Sequence, residues 1–534
     1  MQLRESTVRE LDRVVHDVLI VGGGINGAAI AAALSGKGAQ VALIDRGDFA
    51  GFTSQQSSNL IWGGIKYLET RDYALVRKLC LSRNHLIRHY PSQVREIRFL
   101  ATIERGFRWH PLLLWAGAWV YWLFGNGFTK VPRLLSRRAI QQAEPVINTQ
   151  NAVGGFEYSD AWLPDGDSRF AFQFVLSAVN HGCIAANYVE SLGARRDGEF
   201  WITRGRDIVD DRIFEIRSRV LINAAGPFVD EHNRLIGERT EHRHLFSKGI
   251  HLIVPQIASS QRILAFFADD GRLFFAIPLS ARTCIGTTDT RVESLFAAVT
   301  DEDRQFVLDN INKRLNLQRP LSRADIIAER CGVRPLVVEA KAGDDGRDGM
   351  RLSRKHEIDL DRARAHLSVF GGKLTDCINV GNEVTEIVRK LGVAMPCGNR
   401  EWYGEPPSSA RAEYLRQAKL MNLDRHASPE TTESLTDRLW RRYGQWALEL
   451  LAEIRENPRQ AEILIQGTEY IRCEIELAKH RERIVKLEDF LRRRSNIALV
   501  LRREDIRSAP GLMEACKILF EDRAREKFDE YFLG

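Results

Sequence analysis

The sequence predicts an α/β plus α+β fold: a parallel βαβ unit at the front, an antiparallel sheet in the middle and a helical unit at the back. Three observations predict it. A glycine turn lies between two apolar strands within residues 17–46. Short apolar strands such as IHLIVP and RLFFAIPL recur in the middle of the chain. After the linker PPSSA, near residue 405, apolar residues recur every three or four positions, the period of a helix face.

The front unit reads DVLIVGGGINGAAIAAALSGKGAQVALIDR, with Val18 to Val21 a buried parallel strand. Gly22, Gly24 and Gly27 fit G-x-G-x-x-G: the first permits a tight turn, the second lets backbone approach a pyrophosphate, and the third allows close helix packing. Ala28 to Leu34 continue as a helix whose N-terminus suits phosphate. The second strand, Val41 to Ile44, ends in Asp45, 18 residues after Gly27, where a carboxylate accepts hydrogen bonds from a ribose hydroxyl. The unit is therefore a dinucleotide site.

Two later segments address the same cofactor. RVLINAAGPFVD (219–230) is an apolar strand ending in Ala224, Ala225, Gly226 and Pro227, small residues that permit close backbone approach. LSVFGGKLTDCINVGNEVTEIV (367–388) is a strand, then Gly371 and Gly372, then an amphipathic helix. A cofactor contacted by segments so far apart is long and enclosed, which favours FAD held as a prosthetic group over a nicotinamide that must leave.

With 77 basic and 71 acidic side chains among 534 residues, the formal charge of +6 is too mild to indicate nucleic acid. The eight cysteines form no C-x-x-C pair, so no metal site is expected, and they read as reduced, packed thiols of a cytoplasmic protein. MQLRESTVRELDRVVH, at the start, lacks the apolar run of a secretory signal. PLLLWAGAWVYWLF (111–124), at 14 residues, is shorter than the roughly 20 a spanning helix needs. It reads as a buried helix or, given Trp115, Trp119, Tyr121 and Trp122, as a helix lying in the membrane interface.

The chain resembles the FAD-dependent glycerol-3-phosphate dehydrogenases of the D-amino-acid-oxidase-like flavoprotein superfamily. The resemblance rests on VGGGINGAAIA, SSNLIWGGIKYLE, FEYSDAWLPD, INAAGPFVD, KGIHLIVP, IGTTDT, CGVRPL and FGGKLT, all in family order, and runs from about residue 16 to about 500. It implies a glutathione-reductase-like Rossmann FAD domain interleaved with an antiparallel-sheet substrate domain. The FAD-binding segments fall at about 16–74, 166–239 and 346–400, and the substrate-domain segments at about 75–165 and 240–345. Residues 401–534 form a helical cap.

By the same resemblance, Thr53, Ser57, Ser58, Gly63, Gly64, Val189, Ala225, Gly226, Gly372, Lys373, Leu374 and Thr375 join Gly22, Gly24, Gly27 and Asp45 around FAD. Gly63 and Gly64 bring backbone near the flavin, where a Cβ would collide. Lys66, Tyr67, Thr288 and Arg334 face the substrate, and His251 and Arg334 are the catalytic pair. Cations hold the phosphate, His251 or Arg334 polarises or deprotonates the C2 hydroxyl, and hydride passes to flavin N5 beside Lys373. Thr287, Thr288 and Asp289 either complete the pocket floor or form an ordinary strand end.

The chain departs from the family at Trp62, where the family has His, and at Lys66, where it has Arg. Asp376, Cys377 and Ile378 stand where it has Thr-Tyr-Arg. An ammonium binds phosphate as a point charge and a guanidinium as a planar fork, so the substrate is the open question. One reading is oxidation of sn-glycerol 3-phosphate with a quinone as electron acceptor. Others are another polyol phosphate or hydroxy acid, or a flavin-binding protein with a non-oxidising pocket. The expected partners are a small anionic substrate, a quinone, the inner face of the cytoplasmic membrane as a peripheral surface, and a second copy in a homodimer. GDDGRDGM (343–350) reads as a polar hairpin loop, and LAKHRERIVKLEDFLRRR (477–494) as a basic face, either solvated or against anionic lipid.

Overall fold

The computed structural model describes residues 2–341, 355–429, 431 and 433–533. The hairpin expected at 343–350 lies outside the described residues.

The first strand, Val15–Val21, is flanked by Arg212–Asn223 and Val41–Asp45, both parallel to it. Ile184–Asn187 and His366–Phe370 extend the parallel set on either side. Antiparallel strands complete the eight-stranded sheet. The helix Ile25–Gly36 is buried from Gly27 to Gly36. It has no polar face because the sheet covers one side and the helices Asp167–Asn180 and Cys377–Lys390 cover the others, their Phe174 and Val384 packing with Ala29 and Ala33. Small side chains let these helices come close.

A ten-stranded sheet forms the second layer system. Towards one end of it the long strand His242–Pro255 pairs antiparallel with Ala328–Glu339 on one side and Arg282–Gly286 on the other. Leu273–Leu279, Arg262–Phe267, Arg95–Glu104 and Ala152–Trp162 follow, with Arg262–Phe267 and Arg95–Glu104 forming one parallel pair in an otherwise antiparallel set. The two-residue strand Leu60–Ile61 ends this sheet, so the segment that leaves the first sheet is drawn into the second.

From Ser408 onward the described chain is helical, around two apolar clusters that include Leu439 with Leu450 and Phe490 with Leu512. Leu439, Tyr443, Trp446, Leu450 and Ile454, spaced three or four apart, do not share one helix: Gly444 takes φ +54° between the helices Leu435–Tyr443 and Ala447–Glu456.

Two expectations are corrected. The end of the basic run 477–494 is neither solvated nor set against lipid. Arg493 and Arg494 are buried against Asp48, with Arg494 Nη2 at 2.8 Å from Asp48 Oδ1 and Arg493 Nη2 at 2.6 Å from Asp489 Oδ1. Buried guanidiniums need such partners. The helix Pro111–Phe124 is not a buried helix either: only Pro111, Ala118 and Tyr121 are buried, while Leu112, Leu113 and Leu123 are 52%, 55% and 59% exposed. Among the described residues no helix is long and apolar enough to cross a membrane.

Candidate functional site

The glycine turn is built by its own backbone. Gly22 takes φ +107°, and a Cβ there would strike Ala224 O, so the Ala224–Gly226 turn rests directly on it. A Cβ on Gly27 would run into Gly22 O. Gly24 differs: its Cβ would meet only Ser54 Oγ at 3.2 Å, leaving an open cradle at the helix N-terminus. Asp45, at the end of the second strand, accepts from Gly23 N at 2.7 Å and Gly47 N at 2.8 Å, which fixes its carboxylate beside the turn. Burial raises its pKa above the usual carboxylate range.

The later segments close on this turn. Asn26 Nδ2 donates to Gly371 O at 2.9 Å, and a Cβ on Gly372 would meet the same Asn26 amide. Gly371 and Gly372 take φ +59° and +95°, which only glycine adopts readily, and turn the chain into Leu374–Asp376 and the helix Cys377–Lys390. Thr375 Oγ1 donates to Trp62 O at 3.2 Å, and Lys373 Nζ lies 3.9 Å from the centre of the Tyr67 ring. Asn26 Oδ1 is buried with no hydrogen-bond partner among the described residues, as expected of a group left for a ligand. An open cradle, a fixed carboxylate and an orphaned amide oxygen fit a dinucleotide. Val189 is buried behind the second strand with Ile44.

The segment 53–67 is the hub. Thr53 Oγ1 donates to Val333 O at 2.8 Å, and Ser57 N donates to Asp167 Oδ2 at 2.7 Å. Ser58 Oγ and His251 Nε2 share a hydrogen bond of 3.0 Å. Gly63 N donates to Asp160 Oδ1 at 3.1 Å. The glycines here have reasons within the protein: a Cβ on Gly63 would strike the Tyr121 hydroxyl, and Gly64, at φ +80°, faces the ring of Tyr67. Lys66 is half-buried in the short turn Ile65–Leu68, and Tyr67 is buried.

On the second sheet, His251 is buried and its Nδ1 has no hydrogen-bond partner among the described residues. Burial, then the charges of Arg330 and Arg334, hold its pKa well below the ordinary 6.5, so the imidazole is neutral at neutral pH. Arg334 extends over Gly249, where a Cβ would overlap its guanidinium; it donates to Thr287 Oγ1 at 2.8 Å and Thr288 O at 3.2 Å, and lies 3.6 Å from Asp289 Oδ1. The Thr288 hydroxyl is buried and accepts from Ile250 N at 3.1 Å, so it holds the strand in place. The 287–289 turn thus positions Arg334.

Sequence reasoning missed four residues. Arg330, 1% exposed and registered opposite His251, donates to Ser57 O at 2.6 Å and Asn59 Oδ1 at 3.0 Å. Ser54 accepts from Ile25 N at 3.0 Å, Asn26 ties the two glycine loops, and Asp48 anchors the arginines of the helical unit. Arg330 was readable as the residue four before Arg334, on the same face if the segment is a strand; the other three depend on tertiary contacts.

Residues 17–354 match the family model described as FAD dependent oxidoreductase, and residues 397–521 match the C-terminal domain of alpha-glycerophosphate oxidase. The chain is 31% identical over 502 residues to glycerol-3-phosphate dehydrogenase of Pseudomonas aeruginosa, covering 91% of this chain and 93% of the relative. It is 30% identical over 395 residues to aerobic glycerol-3-phosphate dehydrogenase of Staphylococcus haemolyticus, covering 72% and 69%. Among solved structures it shares its fold with glycerol-3-phosphate dehydrogenase of Bacillus halodurans complexed with FAD, at a TM-score of 0.69 and 22% identity over 99% of this chain and 93% of that one.

Proposed function

The chain belongs to the FAD-dependent glycerol-3-phosphate dehydrogenase and oxidase family, and from that premise we propose that it oxidises sn-glycerol 3-phosphate at C2 to dihydroxyacetone phosphate. Its cofactor is FAD. The observation that carries the reading is the contact between Ser58, on the segment leaving the glycine-turn unit, and His251, a buried neutral imidazole on the other sheet.

FAD, when bound, would supply the acceptor for the hydride from C2. The glycine cradle at Gly24, the carboxylate of Asp45, the turns at Ala225–Gly226 and Gly372–Thr375 and the backbone of 53–64 would hold it. His251, kept neutral by its surroundings, takes the C2 hydroxyl proton. Lys66 and Arg334 supply positive charge for the phosphate, and Tyr67 shapes the wall beside them. Lys373, held over the Tyr67 ring, supplies the charge that favours a reduced, anionic ring system.

The electrons then pass to a quinone, and the protein associates peripherally with the inner face of the cytoplasmic membrane through the exposed leucines of the helix Pro111–Phe124. Residues 1–400 act as the oxidoreductase region and 401–534 as the cap, and a homodimer is part of the same reading. Lys66 and Trp62 support a second reading, a related polyol phosphate, since they alter the phosphate grip and the pocket wall. Anaerobic addition of sn-glycerol 3-phosphate to the holoenzyme tests both. Bleaching of the flavin band is expected, and a flavin bleached by no polyol phosphate overturns the proposal.

A further inference from the structure

A cavity of about 640 Å³ lies where the helical unit meets the start of the strand Ala328–Glu339. Leu487, Leu499 and Ile506 make part of its wall apolar, while Arg492, Arg503 and Lys527 line it with positive charge. It reaches Gln55 and Gln56, immediately before Ser57.

The wall is not evenly neutralised. Its carboxylates are already engaged: Glu329 with Arg304 at 2.6 Å, Glu488 with Arg493 at 3.2 Å, and Glu530 with both Lys486 at 2.8 Å and Lys527 at 2.7 Å. Arg492 and Arg503 form no ion pair among the described residues. Arg492 Nη2 donates to Gln55 O at 2.5 Å and Gln56 Oε1 at 3.2 Å, and Arg503 Nη2 donates to Tyr531 O. Arg330 lies close enough behind Arg492 to repel it; burial and that repulsion bring the Arg492 pKa down to about 9. A desolvated guanidinium that no carboxylate touches, as at Arg492, is costly, and an anion in the cavity between it and the exposed Arg503 lowers that cost.

We propose that this cavity is a second binding site, taking a phosphorylated small molecule whose phosphate is held by Arg492 and Arg503. The volume falls within the roughly 300–1,000 Å³ of small-molecule sites. Guanidinium forks match phosphate oxygens, and the leucine wall receives the organic part. The site is linked to the centre of the molecule, because the guanidinium that takes the phosphate also holds Gln55 and Gln56 on the segment carrying Ser57 and Ser58.

Isothermal titration of the holoenzyme with inorganic phosphate, pyrophosphate and ADP tests this. Saturable binding of one ADP per chain is expected, weakened about tenfold or more by Arg492→Gln and by Arg503→Gln and retained in Lys66→Ala. Arg503→Gln leaves oxidation of sn-glycerol 3-phosphate unchanged. If Arg492→Gln loses its FAD absorbance, Arg503→Gln carries the test alone. Absence of binding by all three probes overturns the proposal. So does binding that survives both arginine substitutions, or that is lost in Lys66→Ala, which places the phosphate in the substrate pocket.

Discussion

His251 and Arg330 stand directly opposite each other on adjacent antiparallel strands, and both are buried to 1% exposure. Burial and the facing positive charges push the imidazole well below 6.5. The acid limb of flavin reduction by substrate is therefore expected below pH 6.5, and Arg330→Gln, which removes one of those charges, should move it upward. Stopped-flow reduction across pH reads this directly, and an unmoved limb argues against His251 as the base. The same depressed value makes a stability contribution that is complete above the unfolded imidazole value near 6.5 and is lost as pH falls below it toward the folded value.

Gly24→Val should separate folding from cofactor binding. Its Cβ meets only Ser54 Oγ, so the chain is expected to fold while the side chain fills the phosphate cradle. Gly27→Ala, which drives a Cβ into Gly22 O, should lose the turn itself. The ratio of flavin absorbance to protein, with circular dichroism as the folding check, distinguishes the two. Full FAD occupancy in Gly24→Val would falsify the cradle assignment.

Lys66→Ala is expected to raise KM for sn-glycerol 3-phosphate tenfold or more, about 1.4 kcal/mol of lost charge-assisted binding. Lys66→Arg should lower KM, and Trp62→His with Lys66→Arg should give the highest activity. Steady-state kinetics with an artificial acceptor measure all three, and unchanged kinetics in Lys66→Ala would remove Lys66 from the phosphate site.

The exposed leucines of Pro111–Phe124 predict co-sedimentation with anionic liposomes. Leu113→Glu with Leu123→Glu places charge on the exposed apolar face and should abolish it without loss of FAD. Equal sedimentation of the double variant would assign binding elsewhere.

Tyr121, on that same helix, donates to Asp160 Oδ2 at 2.6 Å, while Asp160 also pairs with Arg83 at 2.9 Å and accepts from Gly63 N. Tyr121→Phe leaves a buried carboxylate short of one donor and should cost about 1–3 kcal/mol, read from the urea midpoint.

The sequence by itself determined the dinucleotide unit, because Gly22, Gly27 and Asp45 act within one local strand-turn-helix-strand whose geometry follows from backbone sterics. It also determined the strands that carry IHLIVP and RLFFAIPL, short apolar runs that the antiparallel sheet takes up. It could not determine which face of Pro111–Phe124 is covered, because an apolar helix carries no polar stripe to orient it, and only the packing of Tyr121 onto Asp160 decides that. The arginines at 492–494 looked solvated, because charge in a helix is normally exposed. Their burial was decided by Asp48, Asp489 and Gln55, two of which are more than 400 positions away in the chain. Tertiary structure likewise set His251 against Arg330 and Ser58. Pairing across strands and between sheets depends on register and long-range closure, which local residue patterns leave open.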